Sequence, residues 1–303
     1  MSELFESASQ AGVELARRVI AESEAARAET LALRRPFAGH LILEGDSWFD
    51  YPFFKDIAAC LRKDFGYRVR SAARYGHTAE LMAYVPRQLE EVHDLFRDLS
   101  DERQKARAIL LSCGGNDFVD VFSAALNHKH PNVAPLNATV LAGVLKQELP
   151  RTLVHLVGSL VTFSERYFGE RRPILIHGYG DPVPDGRDYP IFGLSGPWLE
   201  PVFIRKGYVS DSPQSGAELA ANSRVLAELI RYFNEETLPL VKDEVARRFG
   251  DLLVIVDVRP AFSNEVASGR YQLDWRDEMH GTAAAFRRAA AIIDAEIRRI
   301  PMP

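Results

Sequence analysis

A serine at the point where a buried strand gives way to a turn can act as a nucleophile if an imidazole reaches it. The run Leu41-Ile42-Leu43-Glu44-Gly45-Asp46-Ser47-Trp48-Phe49 places one there. Gly45 permits a tight turn where a side chain would crowd the backbone. Ser47 then falls at the start of the next helix, beside backbone N–H groups that lack helical partners. Taken alone, this is also how an ordinary helix-capping serine looks. A second run, Leu110-Leu111-Ser112-Cys113-Gly114-Gly115-Asn116-Asp117, again ends a strand in small and polar residues. Its glycines let another backbone approach, and Asn116 offers an uncharged amide donor able to stabilise an oxyanion. Asp117 reads as a turn or cap residue. The third run is Asp274-Trp275-Arg276-Asp277-Glu278-Met279-His280. A carboxylate three residues before a histidine can hold one ring nitrogen and leave the other free to take a proton. Asp274 and Glu278 are rivals of Asp277 for that role. In the fourth, Ala72-Ala73-Arg74-Tyr75-Gly76-His77-Thr78, Gly76 can turn a bare N–H towards the same crevice.

Other residues are candidates for contact with a ligand. Trp48, Phe49 and Tyr51 follow the serine closely and are able to form an apolar wall, with Trp198 closing over it. Phe49 equally suits packing of the first helix on the sheet. His177, in His177-Gly178-Tyr179-Gly180-Asp181, ends a strand and is a candidate pocket residue. His128, His130 and His177 are joined by no cysteine or dense carboxylate set, so no metal and no cofactor are expected. Gly114-Gly115 and Gly178-x-Gly180 match neither a dinucleotide fingerprint nor a phosphate loop with its lysine.

Five short apolar runs must position these loops: 41–43, 69–72, 108–111, 174–176 and 252–256. Between them the segments 53–64, 78–97, 140–168 and 216–236 have helical periodicity, and a last helix is expected over about 282–298. Strands alternating with helices predict an α/β fold with a mostly parallel sheet of about five strands covered on both faces. Residues 1–38 read as an N-terminal helical extension, broken by Pro36, able to pack on the domain or join two subunits into a homo-oligomer. Residues 39–303 form the main domain. Within it, about 181–216 is too long for a plain connection. It carries six prolines together with Tyr189, Phe192, Trp198 and Phe203. Following the fourth strand, it should rise over the carboxyl edge of the sheet as a lid or pocket wall.

Composition narrows the class. Of 303 residues 47% are hydrophobic, which is ordinary for a soluble domain. A net charge of −5 gives no electrostatic reason to expect nucleic acid or anionic lipid as partner. Cys60 and Cys113 make no disulfide framework and read as buried thiols in a reducing compartment. The start, Met1-Ser2-Glu3-Leu4-Phe5-Glu6, carries acid early and is unlike a secretory signal. No apolar run approaches the length of a membrane span. A cytoplasmic protein acting on a small molecule is the expectation.

The four blocks, in this order, resemble those of the SGNH hydrolases, also called the GDSL esterase/lipase family. Gly45-Asp46-Ser47 is similar to the first block, with Trp48 where the family name has leucine. Gly76 resembles the second-block glycine, although the asparagine often near it is absent. Gly114-Gly115-Asn116-Asp117 matches the Gly-x-Asn-Asp block. Asp277-Glu278-Met279-His280 matches the Asp-x-x-His block, with Gly281 in place of a frequent proline. The resemblance covers about residues 39–296. It implies a flavodoxin-like three-layer α/β/α sandwich and metal-free hydrolysis of an acyl ester. It implies Ser47 as nucleophile, His280 as base and Asp277 as its orienter. The Ser47 and Gly76 N–H groups and the Asn116 side chain would form the oxyanion hole. An acyltransferase, a non-catalytic binding module and a nucleotide-binding flavodoxin-like protein are the alternatives.

Overall fold

Strands of the apolar runs pair in one parallel sheet, in a computed structural model that describes residues 36–188, 196–210 and 213–303. The N-terminal extension therefore lies largely outside the described residues, as do Tyr189 and Phe192 of the long loop.

Along the chain, β1 is His40–Gly45, α1 Ile57–Asp64, β2 Arg68–Ser71, α2 Ala79–Tyr84 and α3 Pro86–Asp101. Then come β3 Ala106–Ser112, α4 Gly115–Ala125, α5 Ala138–Gly143, α6 Leu149–Phe168 and β4 Ile174–His177. The rest is α7 Glu200–Arg205, α8 Gly216–Tyr232, α9 Leu238–Phe249, β5 Leu253–Val256, α10 Tyr271–Asp274 and α11 Ala283–Arg299. The sheet order is β2-β1-β3-β4-β5 and every pairing is parallel. On one face α1 packs against α11; on the other α3, α6 and α9 lie side by side. This is the three-layer α/β/α sandwich with flavodoxin-like strand order that the sequence predicts. The inner strands β1, β3 and β4 are buried along their whole length, as helices on both faces require. Edge strand β2 is half exposed.

Chain order reverses between β1 and β3, so a crevice opens at their carboxyl ends. Ser47 follows one of these strands and Asn116 the other. The two strands meet closely there: a Cβ on Gly45 would come within 2.8 Å of Ser112.

Helix ends follow local chemistry. Asp56 caps α1, so Pro52-Phe53-Phe54-Lys55 remains a turn where periodicity predicts helix. The predicted helix 78–97 is two helices. Val85 precedes Pro86 and is extended (φ −81°, ψ 114°), because proline pushes the preceding residue out of the helical region. Thr78 caps α2 and Thr282 caps α11 with their side chains. The segments 140–168 and 216–236 are longer than predicted. A π turn, Val144–Glu148, joins α5 to α6, and another, Phe233–Thr237, joins α8 to α9. Each runs into a proline, Pro150 or Pro239, whose ring would clash with the carbonyl four residues back in an unbroken α-helix. Helices α4, α7, α9 and α10 are not among the predicted elements. Cys60 and Cys113 are free and buried. Among the described residues no helix is long and apolar enough to cross a membrane.

Candidate active site

The turn carrying Ser47 is splinted by Asp46. The Asp46 N–H donates to the Ser112 carbonyl at 2.9 Å. Its carboxylate accepts from the Trp48 N–H at 3.0 Å, the Ser112 hydroxyl at 2.6 Å and the Tyr179 hydroxyl. Tyr179 is itself held from the second π turn. Asn234 accepts from its N–H at 3.1 Å and donates to its carbonyl at 2.9 Å. The π turn thus reaches the serine through two side chains.

His280 arrives on the loop between α10 and α11, closed by a Trp275–Gly281 bridge and by Arg276 N–H donating to the His280 carbonyl at 2.8 Å. Its Nε2 lies 2.7 Å from Ser47 Oγ. Its Nδ1 lies 2.9 and 3.0 Å from the two carboxylate oxygens of Asp277. An Nδ1 proton facing the carboxylate leaves the Nε2 lone pair facing the Ser47 hydroxyl. Asp277 also accepts from the Met279 and His280 N–H groups at 2.8 Å each and from the Tyr51 hydroxyl at 2.7 Å. Burial alone would raise its carboxyl. The His280 charge and the hydrogen bonds from His280, Tyr51 and Met279 outweigh burial and hold it below its ordinary value. The Trp48 indole donates to the Met279 carbonyl at 3.1 Å, tying the serine turn to this loop.

The rival carboxylates face elsewhere. Asp274 pairs with Arg288 and accepts the Ser263 N–H at 2.8 Å. Glu278 points to the opposite side of the loop and gathers four backbone N–H groups. These are Gly186 at 3.1 Å, Trp198 at 2.6 Å, Leu199 at 2.7 Å and Glu200 at 2.9 Å. Burial pushes its carboxyl up to about 7 despite those donors.

The second block sits against the first. Arg74 N–H donates to the Gly45 carbonyl at 2.9 Å and Tyr75 N–H to Asp50 Oδ2 at 3.1 Å. Gly76 has φ +80° in the turn that closes with His77 N–H on the Arg74 carbonyl. Asn116 Nδ2 donates one hydrogen to the His77 carbonyl at 2.8 Å, which leaves its second amide hydrogen. Neither the Ser47 nor the Gly76 N–H has a backbone acceptor among the described residues. Asp117 accepts from Ala79 N–H at 2.9 Å and so caps α2 from across the crevice.

A cavity opens beside Ser47 and Asn116. Trp48 lines it; Trp198 does not, and stands edge-on to His280 with ring centres 5.7 Å apart. His177 does not line it. That ring is buried behind Trp48, stacked at 5.4 Å, with Nδ1 2.6 Å from the Gly178 carbonyl, and burial lowers its pKa. Phe49 is likewise packed under the turn, with its ring 5.3 Å from His177. Tyr51 forms no part of the cavity wall; its ring stacks on His280 at 4.3 Å and 11° while its hydroxyl holds Asp277. Sequence reasoning did not find that role, nor those of Tyr179, Asn234 or the apolar faces of α4 and α8. The spacing of Leu226, Leu229 and Ile230 marks an apolar helix face, but not what it encloses. Among the described residues no three His, Cys, Asp or Glu side chains cluster as metal ligands.

No protein-family model matches the chain, and no curated protein matches it. Solved structures do. A GDSL-like lipase from Bacteroides thetaiotaomicron VPI-5482 is 13% identical over 91% of this chain and 97% of its own, with a TM-score of 0.38. The inhibitor-bound M. smegmatis aryl esterase is 13% identical over 87% and 100%, with a TM-score of 0.48. Est24, a carbohydrate acetylesterase from Sinorhizobium meliloti, is 13% identical over 87% and 100%, with a TM-score of 0.47.

Proposed function

We propose that this chain is a serine hydrolase of the SGNH type that cleaves a carboxylic ester through a covalent acyl-enzyme. The observation that carries the reading is the unbroken path from Asp277 through His280 to Ser47, with its 2.7 Å contact at the hydroxyl. Ser47 Oγ attacks the acyl carbon while His280 Nε2 takes its proton. Asp277 holds the ring and stabilises the imidazolium. The negative charge on the former carbonyl oxygen is met by the Ser47 and Gly76 N–H groups and the second Asn116 hydrogen. As the tetrahedral intermediate collapses, the acyl–oxygen bond breaks and His280 passes its proton to the leaving alcohol. Water, deprotonated by the same nitrogen, then releases the acid and restores Ser47. The four-block resemblance directs the chemistry towards esters, and an uninterrupted relay disfavours a binding module that would have no use for it.

A fluorophosphonate probe tests this. The expected result is one labelled peptide, modified at Ser47, with labelling absent in Ser47→Ala and slowed in His280→Ala. Folded protein that remains unlabelled at Ser47 overturns the reading.

A further inference from the structure

Behind Ser47 the cavity runs inward as an apolar recess between α4 and α8, and the hydroxyl relay makes no use of it. Phe118 and Phe122, four residues apart on α4, face it from one side. Leu226, Leu229 and Ile230, at helical spacing on α8, face it from the other. All five are nearly inaccessible from outside, between 1% and 6% exposed. Asp46, the single carboxylate among the described lining residues, is committed to Trp48, Ser112 and Tyr179. Beyond the mouth, then, the recess offers a ligand almost nothing polar.

Reaction geometry decides which part of a substrate enters. The leaving oxygen must face His280 Nε2 to receive its proton, so the acyl branch must point away from that ring. Asn116 lines the recess and His280 does not. The oxyanion turns to the Ser47, Gly76 and Asn116 donors, which leaves the apolar lining between the helices for the acyl branch. Resting on the ester-hydrolase reading, we propose that this recess is the acyl-chain site, and that the enzyme prefers a linear apolar acyl group of several carbons to an acetyl group. The specificity-determining residues are Phe118, Phe122, Leu226, Leu229 and Ile230, with the half-buried Val119 at the wall.

The test uses p-nitrophenyl acetate, butyrate and hexanoate together with a terminally brominated octanoate. In the wild type kcat/KM should rise about fourfold for each added methylene, the value of burying one CH2. Val119→Phe narrows the recess at a partly exposed position and should cut the hexanoate-to-acetate ratio at least about tenfold. Leu229→Ala widens it and should raise the hexanoate-to-butyrate ratio above the wild-type value. In Ser47→Ala, which needs no turnover, the brominated octanoate should quench tryptophan emission, because Trp48 and Trp275 both line the recess. Val119→Phe in that background should weaken the quenching. A profile that peaks at acetate, with no quenching, overturns this inference while leaving the hydrolase reading intact. Quenching without any Ser47 labelling would overturn the hydrolase reading and retain the recess as a site for apolar acids.

Discussion

Tyr51 holds Asp277 through its hydroxyl, at 2.7 Å, while its ring lies flat on the imidazole that Asp277 orients. One side chain therefore restrains both members of the pair, four residues after Ser47, which His280 contacts. Tyr51→Phe keeps the ring and removes a hydrogen bond to a charged acceptor, worth about 1.5–3 kcal/mol. The expected outcome is a kcat about ten- to a hundredfold lower with KM little changed, read from steady-state kinetics. Tyr51→Leu, which also removes the stacked ring, should lose more.

On the proposed mechanism, Asn116→Ala removes one of the donors that meet the oxyanion. By analogy with other hydrolases the loss is about 10²–10³ in kcat. Because Asn116 also fastens the His77 carbonyl, thermal melting of the variant is measured alongside. A large kinetic loss with a small change in melting temperature is expected.

Glu278 clamps Gly186 and residues 198–200 to the loop that carries His280. Glu278→Ala strands four buried or half-buried N–H groups. Stability should fall by about 3 kcal/mol or more. Hydrogen exchange at the Gly186, Trp198, Leu199 and Glu200 amides should accelerate before that of the sheet. Activity should fall too, since Trp198 packs against His280.

Buried carboxyls make stability depend on pH, Glu44 and Glu278 over the widest range. Glu44, beneath the serine turn, accepts from the Gly45 N–H and the Gln88 amide, yet burial pushes it up to about 8. Glu278 is pushed up to about 7. Below their ordinary value of 4.5 the folded and unfolded chains both hold these protons. Between 4.5 and the folded value the unfolded chain releases each proton and the folded chain keeps it. Stability therefore declines as pH rises through this window, by up to about 1.4 kcal/mol per pH unit for each carboxyl. Urea midpoints should fall from pH 5 towards pH 8, and Glu44→Gln should flatten the upper part of that slope.

What the sequence by itself determined is the layered sheet and which residues stand as candidates for the site. Apolar runs and helical periodicity act over a few residues, so β1 to β5 and the last helix were legible. So were Ser47, Asn116 and His280, because each stands where a strand or loop ends in small polar residues. Tertiary structure decided the rest. Three carboxylates flank His280 within six residues of it. Asp277 turns to the ring, Asp274 to Arg288 and Glu278 to the amides of Gly186 and residues 198–200, and those directions are set only once these distant segments pack together. Likewise Tyr51, Tyr179 and Asn234 reach their partners across separations of 226, 133 and 55 residues. The apolar recess exists because two helix faces, each an ordinary apolar stripe in sequence, meet beside Ser47. Local propensity cannot encode a contact whose two halves meet only after the sheet has assembled.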